Sequence, residues 1–256
     1  MYQILHQVLQ DHKGGEIFAC FGPWHLLYMA IIFGSIVGIV LLFRGKRADV
    51  RQRAINTAIH VAFGLYVADF FLMPFAYGGI DLEKLPFHMC TLMCVLSFFS
   101  AHGMLFPKLR LQFALLGLAS NLIYVIYPAG VGWYQIHPLS YRVVQTLLFH
   151  GAMTAYGILT LALGDDKLTF KSSLQELPVI AVVTLWAILG NTLYNGAAGE
   201  YDHFFNWFFV VRDPFYILPE GIAPYIMPFI MILVIYAADL LIYGAYFAIK
   251  NAAVRK

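Results

Sequence analysis

Charge is scarce in this chain. Only 12% of its 256 residues are Asp, Glu, Lys or Arg, against 61% hydrophobic, and mean hydropathy is +0.74. That leaves too little polar surface to wrap a water-soluble domain. Cysteine is scarcer still. Cys20, Cys90 and Cys94 sit among apolar neighbours, which excludes a disulfide scaffold, and no C-x-x-C pair offers a zinc ribbon. Any chemistry by sulfur would be that of a single nucleophile. The N-terminal segment lacks the charged start, apolar core and small-residue cleavage site of a signal peptide and reads as retained. No repeat announces an inverted-repeat transporter, and no low-complexity segment interrupts the chain. Nothing calls for a metal, a nucleotide or other cofactor, or nucleic acid, and no feature identifies a protein partner. The partners implied are membrane lipids.

What the chain has is long apolar runs. Seven stand out, at 20–43, 54–76, 86–105, 110–128, 142–164, 174–197 and 224–249, each close to the roughly 20 residues a bilayer span needs. The expectation is an all-α polytopic membrane protein: one membrane domain over residues 1–256, with about seven transmembrane helices. Ahead of them, Ile4, Leu5, Val8 and Leu9 recur at helical spacing, as in a short helix lying on the membrane surface. The connection 44–53 is strongly basic, and Lys108, Arg110, Lys167, Lys171, Lys250, Arg255 and Lys256 fall in alternate connections or the C-terminal tail. The other connections carry Asp81, Glu83, Glu200, Asp202, Asp213 and Glu220. The positive-inside rule then puts the N-terminus outside and the C-terminus in the cytoplasm of a plasma (inner) membrane. Within the long connection 198–223, residues 203–211 are too few to span and too apolar for water. They are expected at the outer interface or dipping back in as a re-entrant cap.

Polar residues inside apolar runs are rare and point to function. At about 1.5 Å of rise per residue, Cys90 lies roughly 6 Å below the outer face and His150 roughly 12 Å; Asp69, Asn121 and Asn191 stop about 9 to 11 Å short of it. His25 can join this layer. Gly117, Ser120, Asn121 and Tyr124 share one helix face; so do Thr146, His150, Thr154 and Gly157, and Thr184, Asn191 and Asn195. Such stripes also serve helix packing, but their common depth points to a polar cavity open toward the outer leaflet. Deeper in, Asp239 and His60 are candidates for a buried pair. His102 and His137, near span ends, read as solvated.

A thiol in apolar surroundings needs a base or cation beside it before it can attack. His88 is two residues from Cys90, nearly opposite on a continuous helix, and suits the entrance, a head group or the helix start instead. His150 is the better general base, with Asn191 or Asp69 to orient its far nitrogen. Asn121, Asn191 or backbone amides at the start of the third run could stabilise an oxyanion. Acyl esters, whose carbonyls lie near the interface, are what such a layout meets. The competing readings are a packed, inert Cys90, a lipid-binding scaffold, and a multi-pass transporter or substrate-binding component with an outward-facing polar cavity.

Leu85-Pro86-Phe87-His88-Met89-Cys90, Phe149-His150-Gly151, Gly190-Asn191 and Asn206-Trp207-Phe208-Phe209 resemble, in order, motifs of the YwaF family of bacterial membrane proteins. That family is similar to the eukaryotic TMEM-type acyltransferase of ether phospholipids, over about residues 20–250 here. The resemblance implies a seven-helix membrane enzyme that forms an acyl-enzyme at Cys90 with help from His150. Taken with the depth and faces of the polar residues, the candidate substrate-binding or supporting residues are His88, Asp69, Asn121, Asn191 and Asn206. The acidic insert 196–202 between the two Asn motifs departs from the family pattern and bears on the role of Asn206.

Overall fold

A computed structural model describes residues 2–12, 15–166, 168–196 and 204–254. The acidic stretch 197–202, His203, and the charges of Lys167, Arg255 and Lys256 lie outside the described residues. Every regular element among those described is helical. Six runs are long and apolar enough to cross a bilayer: Pro23–Phe43, Ala48–Ala76, Pro107–Gly132, Tyr141–Leu163, Phe170–Asn195 and Ala223–Ala252. The chain is therefore a multi-pass membrane protein.

The helices begin and end for local reasons. After α1 (Tyr2–Leu9), α2 (Pro23–Phe43) opens on a proline, whose missing N–H costs nothing in the first turn. Helix α3 (Ala48–Ala76) starts earlier than its apolar run, because 48–53 holds good helix formers and Asp49 sits in the first turn, where the helix dipole favours it. Arg51 then reaches the Leu163 carbonyl at 2.9 Å and pairs with Asp165.

The third apolar run behaves differently from the expectation. Its helix, α4 (Met89–Ala101), has 13 residues, about 20 Å of rise where the hydrocarbon core is about 30 Å. Residues 85–88 ahead of it are not helical. At the other end the N–H groups of Gly103 and Met104 donate to the Ser100 and Phe99 carbonyls, with Gly103 at φ 73°. This is a Schellman stop, and the left-handed residue it needs is a glycine. Hydropathy extends the run to 105, but the chain turns four residues earlier.

The remaining helices are α5 (Arg110–Ile126), the short α6 (Ala129–Gly132), α7 (Tyr141–Leu163), α8 (Phe170–Leu174), α9 (Glu176–Gly196) and α10 (Ala223–Val254). The chain forms two compact units, one of residues 1–82 with 94–166, the other of residues 83–93 with 167–256.

In the first unit α7 is central and packs against α2, α3 and α5. A Cβ on Gly157 would come 2.5 Å from the Leu118 Cβ, so glycine there lets α5 and α7 approach closely, as small residues do between membrane helices. At one end Arg142 lies between the Tyr77 and Tyr134 rings, 3.9 and 4.0 Å from their centroids, and bonds to Asp11 and Asp81 at 2.9 and 3.2 Å. At the other end Arg110 meets Asp166 at 2.8 Å. Helix α1 forms as expected, but it docks on α3, with His6 Nδ1 2.7 Å from the Phe75 carbonyl. In the second unit α9 and α10 pack together, with α8 against both.

Candidate functional site

In the first unit the polar layer converges on His150. The Asn121 amide nitrogen donates to the Gly117 carbonyl at 2.7 Å, which leaves Oδ1 to accept, and His150 Nδ1 lies 2.6 Å from it. Nδ1 therefore carries the proton, and Nε2 of the neutral ring is the basic nitrogen. Tyr124 stacks on the imidazole with centroids 3.9 Å apart and planes 14° apart, so the ring is held in plane as well as in azimuth. His150 and Asn121 are both buried. The orienting group is thus Asn121, not Asp69 or Asn191. The buried Asp69 carboxylate accepts the Tyr141 hydroxyl at 2.8 Å and ties α3 to the start of α7. His25 is structural: Nδ1 accepts the Phe21 N–H and Nε2 donates to the Val125 carbonyl, each at 2.9 Å.

The second unit holds the other motifs. Asn191 and Asn195 stand one turn apart on α9, and each exchanges two hydrogen bonds with an alternate residue of the returning chain. Asn191 takes the Trp207 N–H and gives to its carbonyl, both at 3.0 Å; Asn195 does the same with Phe205, both at 2.8 Å. One helical turn, about 5.4 Å, nearly matches two residues of extended chain, about 6.6 Å, so two amides on one helix face can grip a strand-like segment. Asn206, between them, accepts the Val211 and Arg212 N–H groups and donates to the Arg212 carbonyl at 2.8 Å, closing a turn. Phe205, Trp207, Phe208 and Val210 are buried. Residues 205–210 are therefore clamped against α9 and largely buried in protein. Beyond them the Asp213 carboxylate accepts N–H groups of Phe215, Ile217 and Leu218. Those bonds hold its pKa below the ordinary carboxylate value.

His88 belongs to the same clamp. It lies just before α4, as a cap would, and its carbonyl accepts the Leu92 N–H. Its Nδ1 accepts the Phe208 N–H at 3.1 Å, so the neutral ring carries its proton on Nε2, 3.5 Å from the Glu83 carboxylate. With both nitrogens engaged it is a tie for residues 208–209, whose backbones hold positive φ of 57° and 54°. Trp207 Nε1 donates to the Glu83 carbonyl and Trp186 Nε1 to the Pro86 carbonyl. Phe87 lies among Trp186, Trp207 and Tyr194, over Gly190, where a Cβ would come 2.4 Å from the Phe87 ring. Each lettered piece of Leu85–His88, Gly190-Asn191 and Asn206–Phe209 thus serves one assembly.

Cys90 is the second residue of α4 and half-buried, whereas Cys94 is fully buried. The first-turn amides of a helix lack intrahelical acceptors; those of Thr91 and Cys90, with Lys84, act on the Cys90 sulfur against the larger effect of its burial. A cleft of about 370 Å³ is lined, in this same unit, by residues including Asn191, Asn195, Arg212 and Glu220. Among the described residues no group of three or more His, Cys, Asp or Glu is placed to hold a metal ion.

The profile of the TMEM164 family matches residues 20–246. The chain belongs to the TMEM164 family. No curated protein and no solved structure matches it. For this family member, sequence reasoning found His150 and Asn121 by depth and face but missed that they are partners. It also missed Tyr124 as the ring's support and Asn195 as the second amide of the clamp. Asn195 shares a helix face with Asn191, a signal that was available. Of the two residues expected to pair deeper in the membrane, Asp239 faces Glu176 in the second unit, and in the first His60 Nε2 lies 3.2 Å from His102 Nε2.

Proposed function

We propose that this TMEM164-family protein transfers acyl chains from phospholipid esters through a thioester on Cys90, with His150 handling the proton. The His150–Asn121 pair carries the reading. A buried imidazole whose Nδ1–H is fixed on a side-chain amide presents Nε2 as a base in one orientation, the arrangement that activates a thiol in cysteine acyl-transfer enzymes. Burial opposes ionisation of a thiol, so activation has to come from neighbours; the first-turn amides and Lys84 favour the thiolate. The YwaF resemblance and its similarity to the ether-phospholipid acyltransferase support the same assignment.

The steps follow. The Cys90 proton passes to His150 Nε2, the sulfur attacks the ester carbonyl carbon, and the C–O bond breaks while the imidazolium returns its proton to the leaving lysolipid hydroxyl. A second hydroxyl, of another lysophospholipid or of water, then attacks the thioester carbon, gives its proton to His150 and frees the thiol. The first-turn amides of α4 suit the transient oxyanion, and Arg212 on the wall of the cleft suits a lipid phosphate.

The thiol and the imidazole belong to different units, so the decisive test is a double-mutant cycle. Purified protein in lipid nanodiscs with an acyl-labelled phospholipid is expected to carry one acyl adduct by intact mass. Cys90→Ser is expected to lose the hydroxylamine-sensitive adduct and Cys94→Ser to keep it. His150→Gln is expected to slow adduct formation about a hundredfold or more, with no further loss when combined with Cys90→Ser. Equal labelling of the Cys90 and Cys94 variants removes Cys90 from the reaction. Product analysis with and without lysophospholipid separates transferase from hydrolase.

A further inference from the structure

The second unit holds a cluster of acids that the acyl-transfer reading does not use. Glu176, at the start of α9, and Asp239, on α10, are both fully buried, and their carboxyl groups lie within hydrogen-bonding reach of each other. The Tyr243 hydroxyl, one turn beyond Asp239, donates to Glu176 Oε1 at 2.8 Å and lies 3.2 Å from the Ser172 hydroxyl of α8. Tyr243 supplies a proton donor at Glu176 Oε1, while among the described residues Glu176 Oε2 and both Asp239 oxygens are buried with no donor facing them.

Two carboxylates facing one another inside a membrane helix pair cannot both be charged. Their repulsion is undiluted by water, and each also bears the cost of leaving it. The contact between them becomes attractive only when one carries a proton, which then lies between the two groups; that single proton also satisfies two of the three orphaned oxygens, one on each acid. The titratable or charged groups facing the pair, among the described residues of α8, α9 and α10, are the two acids and Tyr243; Lys171 on α8 is exposed.

We propose that Glu176 and Asp239 form a proton-binding site within the membrane-spanning part of the protein, holding one shared proton at neutral pH and joining α9 to α10 through it. Both helices bound the segment clamped by Asn191 and Asn195, so loss of the proton drives apart the two supports on which that segment rests.

The linkage has a fixed sign. The folded pair keeps a proton that the unfolded chain releases, so stability falls as pH rises into the alkaline range. In nanodiscs, infrared spectra of the wild type at neutral pH are expected to show the carbonyl stretch of a protonated carboxyl that disappears in Asp239→Asn and in Glu176→Gln. Each of these neutral amides can donate where the proton did, so each is expected to melt near the wild-type temperature at neutral pH and to lose the alkaline fall in melting temperature. Two outcomes overturn the proposal. One is a wild-type spectrum whose carboxyl band survives both substitutions. The other is stabilisation of the wild type by sodium, but not choline, at neutral pH without that band, which would make the occupant a metal cation. The wild-type spectrum and salt titration stand even if a variant fails to fold.

Discussion

At the scale of single residues, Asn121 sets which nitrogen of His150 is a base. Its own amide proton is committed to the Gly117 carbonyl, so the ring has no choice of tautomer. Asn121→Leu is expected to lower kcat about tenfold to a hundredfold, the cost of a catalytic group misplaced by an ångström or less, while KM and melting temperature change little. Asn121→Asp, which keeps the acceptor, is expected to restore most of the rate; a stopped adduct assay at saturating donor checks both. Depth along a helix is legible in sequence because rise per residue is constant, and this is why His150 and Asn121 were placed in one layer. Which neighbours meet across that layer depends on helix rotation and crossing, which no single run encodes; depth alone offers His150 either Asn191 or Asp69, although the Asp69 carboxylate takes Tyr141. His88 was harder still, because its partner is a backbone amide 120 residues further along the chain.

At the scale of elements, the clamped segment explains most of the family-like motifs. Gly190 has no room for a side chain because Phe87 fills the space above it. Gly190→Ala is expected to destabilise the protein by about 1–3 kcal/mol through overpacking, and Phe87→Leu in the same chain is expected to recover part of that loss in thermal melts. The length of α4 could not be read from hydropathy, since burial in protein and burial in lipid select the same apolar side chains. Length was the discriminating signal: α4 has 13 residues and ends at a glycine that the average conceals. The spans beginning near 20, 110, 142, 174 and 224 lacked such interruptions, and their helices start within three residues of the expected positions.

At the scale of the whole molecule, ion pairs gather at the ends of the long helices of the first unit. Arg51 and Arg110 meet Asp165 and Asp166 at one end of the first unit, and Arg142 meets Asp11 and Asp81 at the other. The 44–47 connection carries Arg44, Lys46 and Arg47, the last paired with Asp49 at 3.2 Å, and the orientation argued from the basic loops predicts that this connection faces the cytoplasm. A cysteine placed at Gly45 in a cysteine-free chain is expected to react with a membrane-impermeant maleimide only after cells are permeabilised; labelling of intact cells would invert the topology.

The fastening of residues 205–207 to α9 is made wholly by side-chain amides meeting peptide groups. None of those four bonds involves an ion or a group that gains or loses a proton near neutrality. The latch itself should therefore hold with the same strength in brine, in dilute medium or in mild acid, and the condition that would loosen it is an alkaline one, through the carboxyl pair joining the two helices that support it.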